Sequence, residues 1–139
     1  MSHPARAPSQ SRPHRPTRLR QSGLANGALR PARRRADVEL ARGVFPSDAE
    51  MAAAFGVDRS NIARWRAGAP VSPEHRTMLH NLATAIAMLL EFLSPTTVPK
   101  WLRGINAHLS DRQPLAVLLH GRLSEVVAAI ERERTGAFA

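Results

Sequence analysis

The chain contains no cysteine. That removes disulfides, thiolate metal sites and cysteine nucleophiles, and it fits a reducing, cytoplasmic setting. Lysine is nearly missing as well: of 20 basic residues, all but Lys100 are arginine. No stretch alternates apolar and polar residues long enough to argue a sheet. The N-terminal region has no hydrophobic segment of signal-peptide type, so secretion is not expected. The longest apolar helix is interrupted by Asn81, Thr84 and Glu91, which argues against a membrane span. There is no glycine-rich phosphate loop, no helix-borne zinc pair and no serine elbow. His75 and His80 are five positions apart and leave opposite sides of a helix, and His108, Asp111 and His120 converge only through tertiary folding. These absences lead us to expect no enzyme, no metal and no cofactor.

Charge is unevenly placed. Residues 1–42 hold ten arginines against Asp37 and Glu39, which accounts for +8 of the formal +9. The remaining 43–139 are nearly neutral, so the high isoelectric point describes an arm rather than a domain. Such an arm favours polyanions without choosing among them. Residues 1–30 are rich in Pro, Arg, Ser and Gly and have no apolar periodicity, so we expect a disordered basic arm. A DNA tether, a transit peptide weakened by its prolines, and a segment with no role all stay open.

The most informative stretch runs from Asp48 to Gly68. Asp48 to Phe55 is built of strong helix formers, with Met51, Ala52 and Phe55 on one face and Ser47 or Asp48 as its cap. Gly56 suits the left-handed corner that ends it, Val57 plugs the turn, and Asp58 is placed to cap a second helix, Arg59 to Ala67. There Ile62 and Trp65 point inward, leaving Arg59, Ser60, Asn61, Arg64 and Arg66 outward. Gly68 closes the helix and Pro70 forbids continuation. A small alanine, a turn glycine, a buried isoleucine and a buried tryptophan, in that order, resemble the helix-turn-helix of phage-repressor-like regulators. The resemblance implies that the second helix enters the major groove, where arginine and asparagine suit guanine and adenine edges. An ordinary αα-hairpin is the plainer alternative.

Around this unit the chain reads as all-α. A helix from Pro31 to about Arg42 has Ala36, Val38, Leu40 and Ala41 as its stripe, and Gly43 and Pro46 end it. Ser72 caps a long helix, Pro73 to Leu93, with Pro73 at its first position and Glu74 at the positive dipole end. Leu79, Leu82, Ile86, Leu89 and Leu93 recur by threes and fours, widened by Ala85, Met88 and Phe92. So broad a stripe marks a core helix or half of a homodimer. Trp101, Leu102 and Ile105 make a short apolar turn after Pro99. A helix from Pro114 to His120 turns Leu115, Leu118 and Leu119 inward and stops at Gly121. The last helix, Leu123 to Arg134, carries Leu123, Val126, Val127 and Ile130, and Gly136 breaks it. Phe138 either packs back on its own domain or is presented to a partner.

Trp101-Leu102, Asn106, Leu109, Gln113-Pro114-Leu115, Leu118-Leu119, Gly121, Val126-Val127 and Gly136-Ala137-Phe138 resemble the C-terminal domain of Xre/MbcA/ParS antitoxins. In that family a small helical domain follows an Xre-like helix-turn-helix, and the resemblance covers about residues 44–139. It implies an antitoxin of a type II toxin-antitoxin system, one that inhibits a RES-domain, NAD-consuming toxin and represses its own operon. The resemblance also implies that the last helix and tail approach the toxin's active-site cleft, with Arg132, Arg134, Gly136 and Phe138 as the toxin-binding residues. The pair Gly104-Ile105 departs from the family, which often has proline before the asparagine. The expected division is an arm over 1–30, a DNA-binding region over 31–71, and a dimerisation and toxin-binding domain over 72–139. A stand-alone transcriptional repressor, whose C-terminal domain only dimerises, is the alternative.

Overall fold

A computed structural model of the chain describes residues 3–5, 30 and 32–137. The expected arm over 1–30 and the proposed contact Phe138 therefore fall almost wholly outside the described residues. Within them the chain is helical and no strand forms; Asn106 and Arg112 make an isolated antiparallel bridge.

Helix α1 (residues 32–42) buries Val38 and Ala41. Ala36 is exposed and Leu40 is 40% exposed, so the expected four-residue stripe narrows to two positions three apart. The chain bends through Val44 and Phe45, both buried. Ser47 then starts α2 (Asp48–Phe55), its hydroxyl accepting from the Glu50 N–H at 3.1 Å. That frees Asp48 from capping. Gly56 follows in the left-handed region (φ 70°, ψ 33°), where a Cβ is disfavoured. Its turn is closed by Val57 N–H donating to the Ala52 carbonyl at 3.0 Å.

Helix α3 (Arg59–Arg66) begins at Asp58, whose side chain makes no capping bond although the residue stands at the cap position. Helix α4 (Pro73–Leu90) is the longest. It ends three residues before the expected Leu93, whose N–H still reaches the Leu89 carbonyl at 2.8 Å, while the Phe92 N–H meets the same carbonyl at 3.1 Å in a tightened turn. Leu79, Leu82, Ala83, Ala85, Ile86 and Leu89 are all buried. The single chain covers them, mainly by packing α5, α6 and α7 against α4. The breadth of this stripe therefore does not by itself require a second copy.

Helix α5 (Thr97–Arg103) contains Pro99 within its first turn. A proline is tolerated there because that N–H has no intrahelical acceptor. Val98 and Leu102 point into the core, but Ile105 is 77% exposed, which removes it from the expected apolar turn. Gly104 is extended (φ −81°, ψ 169°) and hands the chain to Asn106. Asn106 organises the next loop: its side-chain oxygen accepts from the His108 N–H at 2.8 Å, its N–H donates to the Arg112 carbonyl, and its own carbonyl accepts from Leu109 and Asp111. A short 3-10 turn (Ala107–Leu109) sits inside that loop.

Helix α6 (Pro114–Leu119) buries Leu115, Val117 and Leu118 and turns at Gly121 (φ 79°). Helix α7 (Leu123–Ala137) buries Val126, Ala129 and Ile130. It continues past the expected end at Arg134 and through Gly136. Glycine in a helix costs only about 1 kcal/mol relative to alanine, and no proline follows to forbid continuation. One continuous apolar cluster runs from Val38 to Ile130.

Leu82 is completely buried, whereas Ile105 stands in solvent. Leu82→Ala should cost about 2–5 kcal/mol of unfolding free energy. Ile105→Ala should stay within about 0.5 kcal/mol of the parent. Urea denaturation of the two variants checks both.

Candidate nucleic-acid interface and C-terminal helix end

The α2–α3 unit is held from beneath by four rings. Phe45 and Phe55 meet edge to face at 6.3 Å, Phe55 and Trp65 at 6.0 Å, and the His75 ring of α4 lies 5.4 Å from Trp65. His75 is locked at both nitrogens. Its Nε2 is 3.2 Å from the Phe55 carbonyl, which only accepts, so Nε2 carries the proton. Nδ1 then accepts from the Ser72 hydroxyl at 2.7 Å. The histidine thus bonds the end of α2 to the cap of α4.

A second set of contacts fixes α3 from the side. Arg66 donates to Glu39 of α1 at 3.0 Å and to Asp48 of α2 at 3.3 Å. Arg42 of α1 donates through Nε to the same Asp48 and through Nη1 to the Phe45 carbonyl at 2.7 Å. Asp48 is also in the first turn of α2, where the helix dipole favours negative charge. The hydrogen bond from Arg42, with the charges of Arg42 and Arg66, holds its carboxyl below the ordinary value of 3.8. The Arg66 guanidinium is pushed above its ordinary value, first by the bond to Glu39. None of this was legible in the sequence, where Glu39 and Arg66 lie 27 positions apart.

Four of the five outward residues expected to meet DNA lie away from the buried Ile62 and Trp65 of α3. Arg59, Ser60 and Arg64 are exposed, and Asn61 is half-buried. Arg64 donates through Nη2 to the Asn61 side-chain oxygen, which joins two of the expected base readers. Arg66 is different, since its guanidinium turns back onto Glu39 and Asp48.

The residues expected to meet a toxin divide in the same way. Arg132 and Gly136 are exposed, four positions apart on the last turns of α7, and line a shallow hollow with Glu131 and Thr135. Arg134 leaves α7 in another direction. It pairs with Glu91 and lies over the Phe92 ring, 5.7 Å from its centre, so it ties α7 to the end of α4. Among the described residues no group of three or more His, Cys, Asp or Glu is placed to hold a metal ion. No described helix is long and apolar enough to cross a membrane.

Among the described residues, two short helices thus turn around a left-handed glycine, and one of them presents arginines and an asparagine to solvent. Comparison with known proteins adds a relative. The chain is 29% identical over 89 residues to a Mycobacterium tuberculosis protein named "Probable mycobacterial cidal antitoxin Rv3188", a match spanning 64% of this chain and 76% of that relative. No family model matches the chain, and no solved structure matches it.

Because the folded carboxyl of Asp48 is held below its ordinary value, its contribution is present above pH 3.8 and is lost as pH falls through the depressed value. Asp48→Asn should therefore lower the melting temperature at neutral pH. The gap from the parent should close in acid, below pH 3.8. Thermal melts followed by circular dichroism across that range test it.

Proposed function

We propose that the chain is the antitoxin of a toxin-antitoxin pair, and that it both inhibits its toxin and represses its own operon. The observation that carries this is the likeness to a protein named as an antitoxin over most of both chains. The resemblance of residues 44–139 to Xre/MbcA/ParS antitoxins supports a RES-domain, NAD-consuming toxin as the target. In this reading residues 31–71 bind operator DNA, and residues 72–139 dimerise and bind toxin.

The α3 face supports the DNA half of the proposal. Arg59, Ser60, Asn61 and Arg64 address the major groove, while Arg66 acts indirectly, by holding α3 at its angle to α1 and α2. A two-fold dimer would place half-sites about one helical turn, ~34 Å, apart. Arg64→Ala should cost on the order of 1–3 kcal/mol and change preference at one base position. A binding-site selection from a random duplex pool, run with parent and variant, reads that change.

For the toxin half, the exposure of Arg132 favours it over Arg134 as the guanidinium offered to a phosphate-binding cleft. Gly136 and Phe138 complete the proposed contact. Arg132→Ala, and truncation after Arg134, should each release the toxin while operator binding persists. NAD consumption by the purified toxin from the neighbouring gene, mixed with each variant, is the measurement. Full inhibition by both variants would place the blockade elsewhere on the chain. A neighbouring gene with no RES-domain product would favour the stand-alone repressor.

A further inference from the structure

Pairing sorts the arginines of the described residues into two kinds. Arg42, Arg66, Arg103, Arg112, Arg122 and Arg134 each meet a carboxylate. Among the described residues, Arg30, Arg33, Arg34 and Arg76 meet none, yet they are gathered in one place. Together with Asp37 and His80 they line a cleft of about 440 Å³ between α1 and α4. Their spacing explains the gathering. Positions 30, 33, 34 and 37 fall at i, i+3, i+4 and i+7, one face of a helix, and positions 76 and 80 are four apart on the facing helix.

Four guanidinium groups against one carboxylate leave the cleft positive, and among the described residues no further carboxylate lines it. Burial raises the Asp37 carboxyl from its ordinary value, against the pull of His80 and Arg33. His80 Nδ1 lies 4.0 Å from Asp37 and adds further positive charge when protonated. Assembling such a cleft costs repulsion, and an anion entering it would relieve the repulsion. Guanidinium forks match the oxygens of a phosphate diester and hold their charge at every physiological pH.

Helix α1 also connects the cleft to α3. Arg35, beside Arg34 on α1, rests against Gly68 just past the α3 terminus, so closely that any Cβ at Gly68 would collide with its guanidinium. Glu39, one turn further along α1, holds Arg66 in the last turn of α3. Helix α1 thus carries the cleft arginines on one side and, on the other, the contacts that hold the end of α3. Helix α3 is only eight residues long, about 12 Å at 1.5 Å per residue, comparable to the width of a major groove.

We propose that the α1/α4 cleft is a second DNA-contacting site, in which Arg33, Arg34 and Arg76 grip the phosphodiester backbone beside the groove entered by α3. The proposal rests on the reading of α3 as the base-reading helix and adds to it a clamp that is blind to sequence. It also gives part of the arginine-rich segment a folded, positioned role, distinct from that of a loose tether.

The test uses the full chain and two labelled duplexes, one of mixed sequence and one selected from a random pool, with affinity followed by anisotropy against salt. The variants are Arg33→Ala/Arg76→Ala and the charge-conserving Arg33→Lys/Arg76→Lys. Losing two phosphate contacts should flatten the log affinity against log salt slope by about 2. Affinity at low salt should fall by about tenfold or more on both duplexes alike. The lysine variant should keep most of the slope, and Asp37→Asn should tighten binding to both. Alanine favours helix, so loss of α1 is not the expected cause, and unchanged circular dichroism checks that. An unchanged slope in the alanine variant, with Arg64→Ala still altering preference, overturns the cleft and leaves the α3 reading standing. No duplex binding by the parent chain overturns both. Loss of toxin binding with DNA binding intact would assign the cleft to an acidic protein surface and overturn the proposal.

Discussion

Helix α4 is apolar around so much of its circumference that the other helices are arranged by what it needs covered. Its buried residues run from Leu79 to Leu89, and α5, α6 and α7 lie against it. At roughly 1.5–3 kcal/mol for each large side chain removed from water, these contacts outweigh any single polar interaction in the molecule. The two-helix unit of α2 and α3 is attached differently. It meets the start of α4 through the Phe55, Trp65 and His75 rings and the bond from His75 to the Phe55 carbonyl. The protein is therefore a firmly packed C-terminal half carrying a smaller unit on an aromatic seam.

That smaller unit owes its orientation to charge. Asp48 accepts from Arg42 and Arg66, and Arg66 also reaches Glu39, so α1, α2 and α3 share one ionic junction. Exposed pairs are individually worth little, but a network closing three helices restricts their relative angles more than separate pairs would. Arginine thus stands in two settings in this chain. Where it meets carboxylates it fixes helices to one another, and at Arg33, Arg34 and Arg76 it meets none among the described residues.

Much of the fold was legible because its punctuation is local. Ser47, Gly56, Ser72, Pro73 and Gly121 act within one turn of themselves, and each lies where its chemistry puts it. Errors arose where a weak local signal met no opposing one. Gly136 carries too small a penalty to end α7, and Pro99 sits where a helix has no N–H to lose. Ile105 looked buried from its composition, but the extended Gly104 carries it out of the core. Partnerships across the chain, Arg66 with Glu39 and Arg134 with Glu91, leave no trace in periodicity. Sequence could mark those arginines as outward but not as engaged. The exposure of Arg59, Ser60 and Arg64 was readable because Ile62 and Trp65, three positions apart, fix which side of α3 meets the core.

The two tryptophans fall one to each half, and their surroundings differ. Trp65 is 6% exposed and lies against the His75 imidazole, on the seam between the smaller unit and α4. Trp101 is in α5, with its indole nitrogen buried and no acceptor within reach among the described residues. The chain thus carries a pair of intrinsic emission probes at well-chosen places. With Trp101 replaced by phenylalanine, fluorescence would follow only the seam, reporting release of the α2–α3 unit from α4. With Trp65 replaced instead, it would follow only the C-terminal half. Whether the two halves melt as one or in succession could then be read from the natural fluorophores, without attaching a dye.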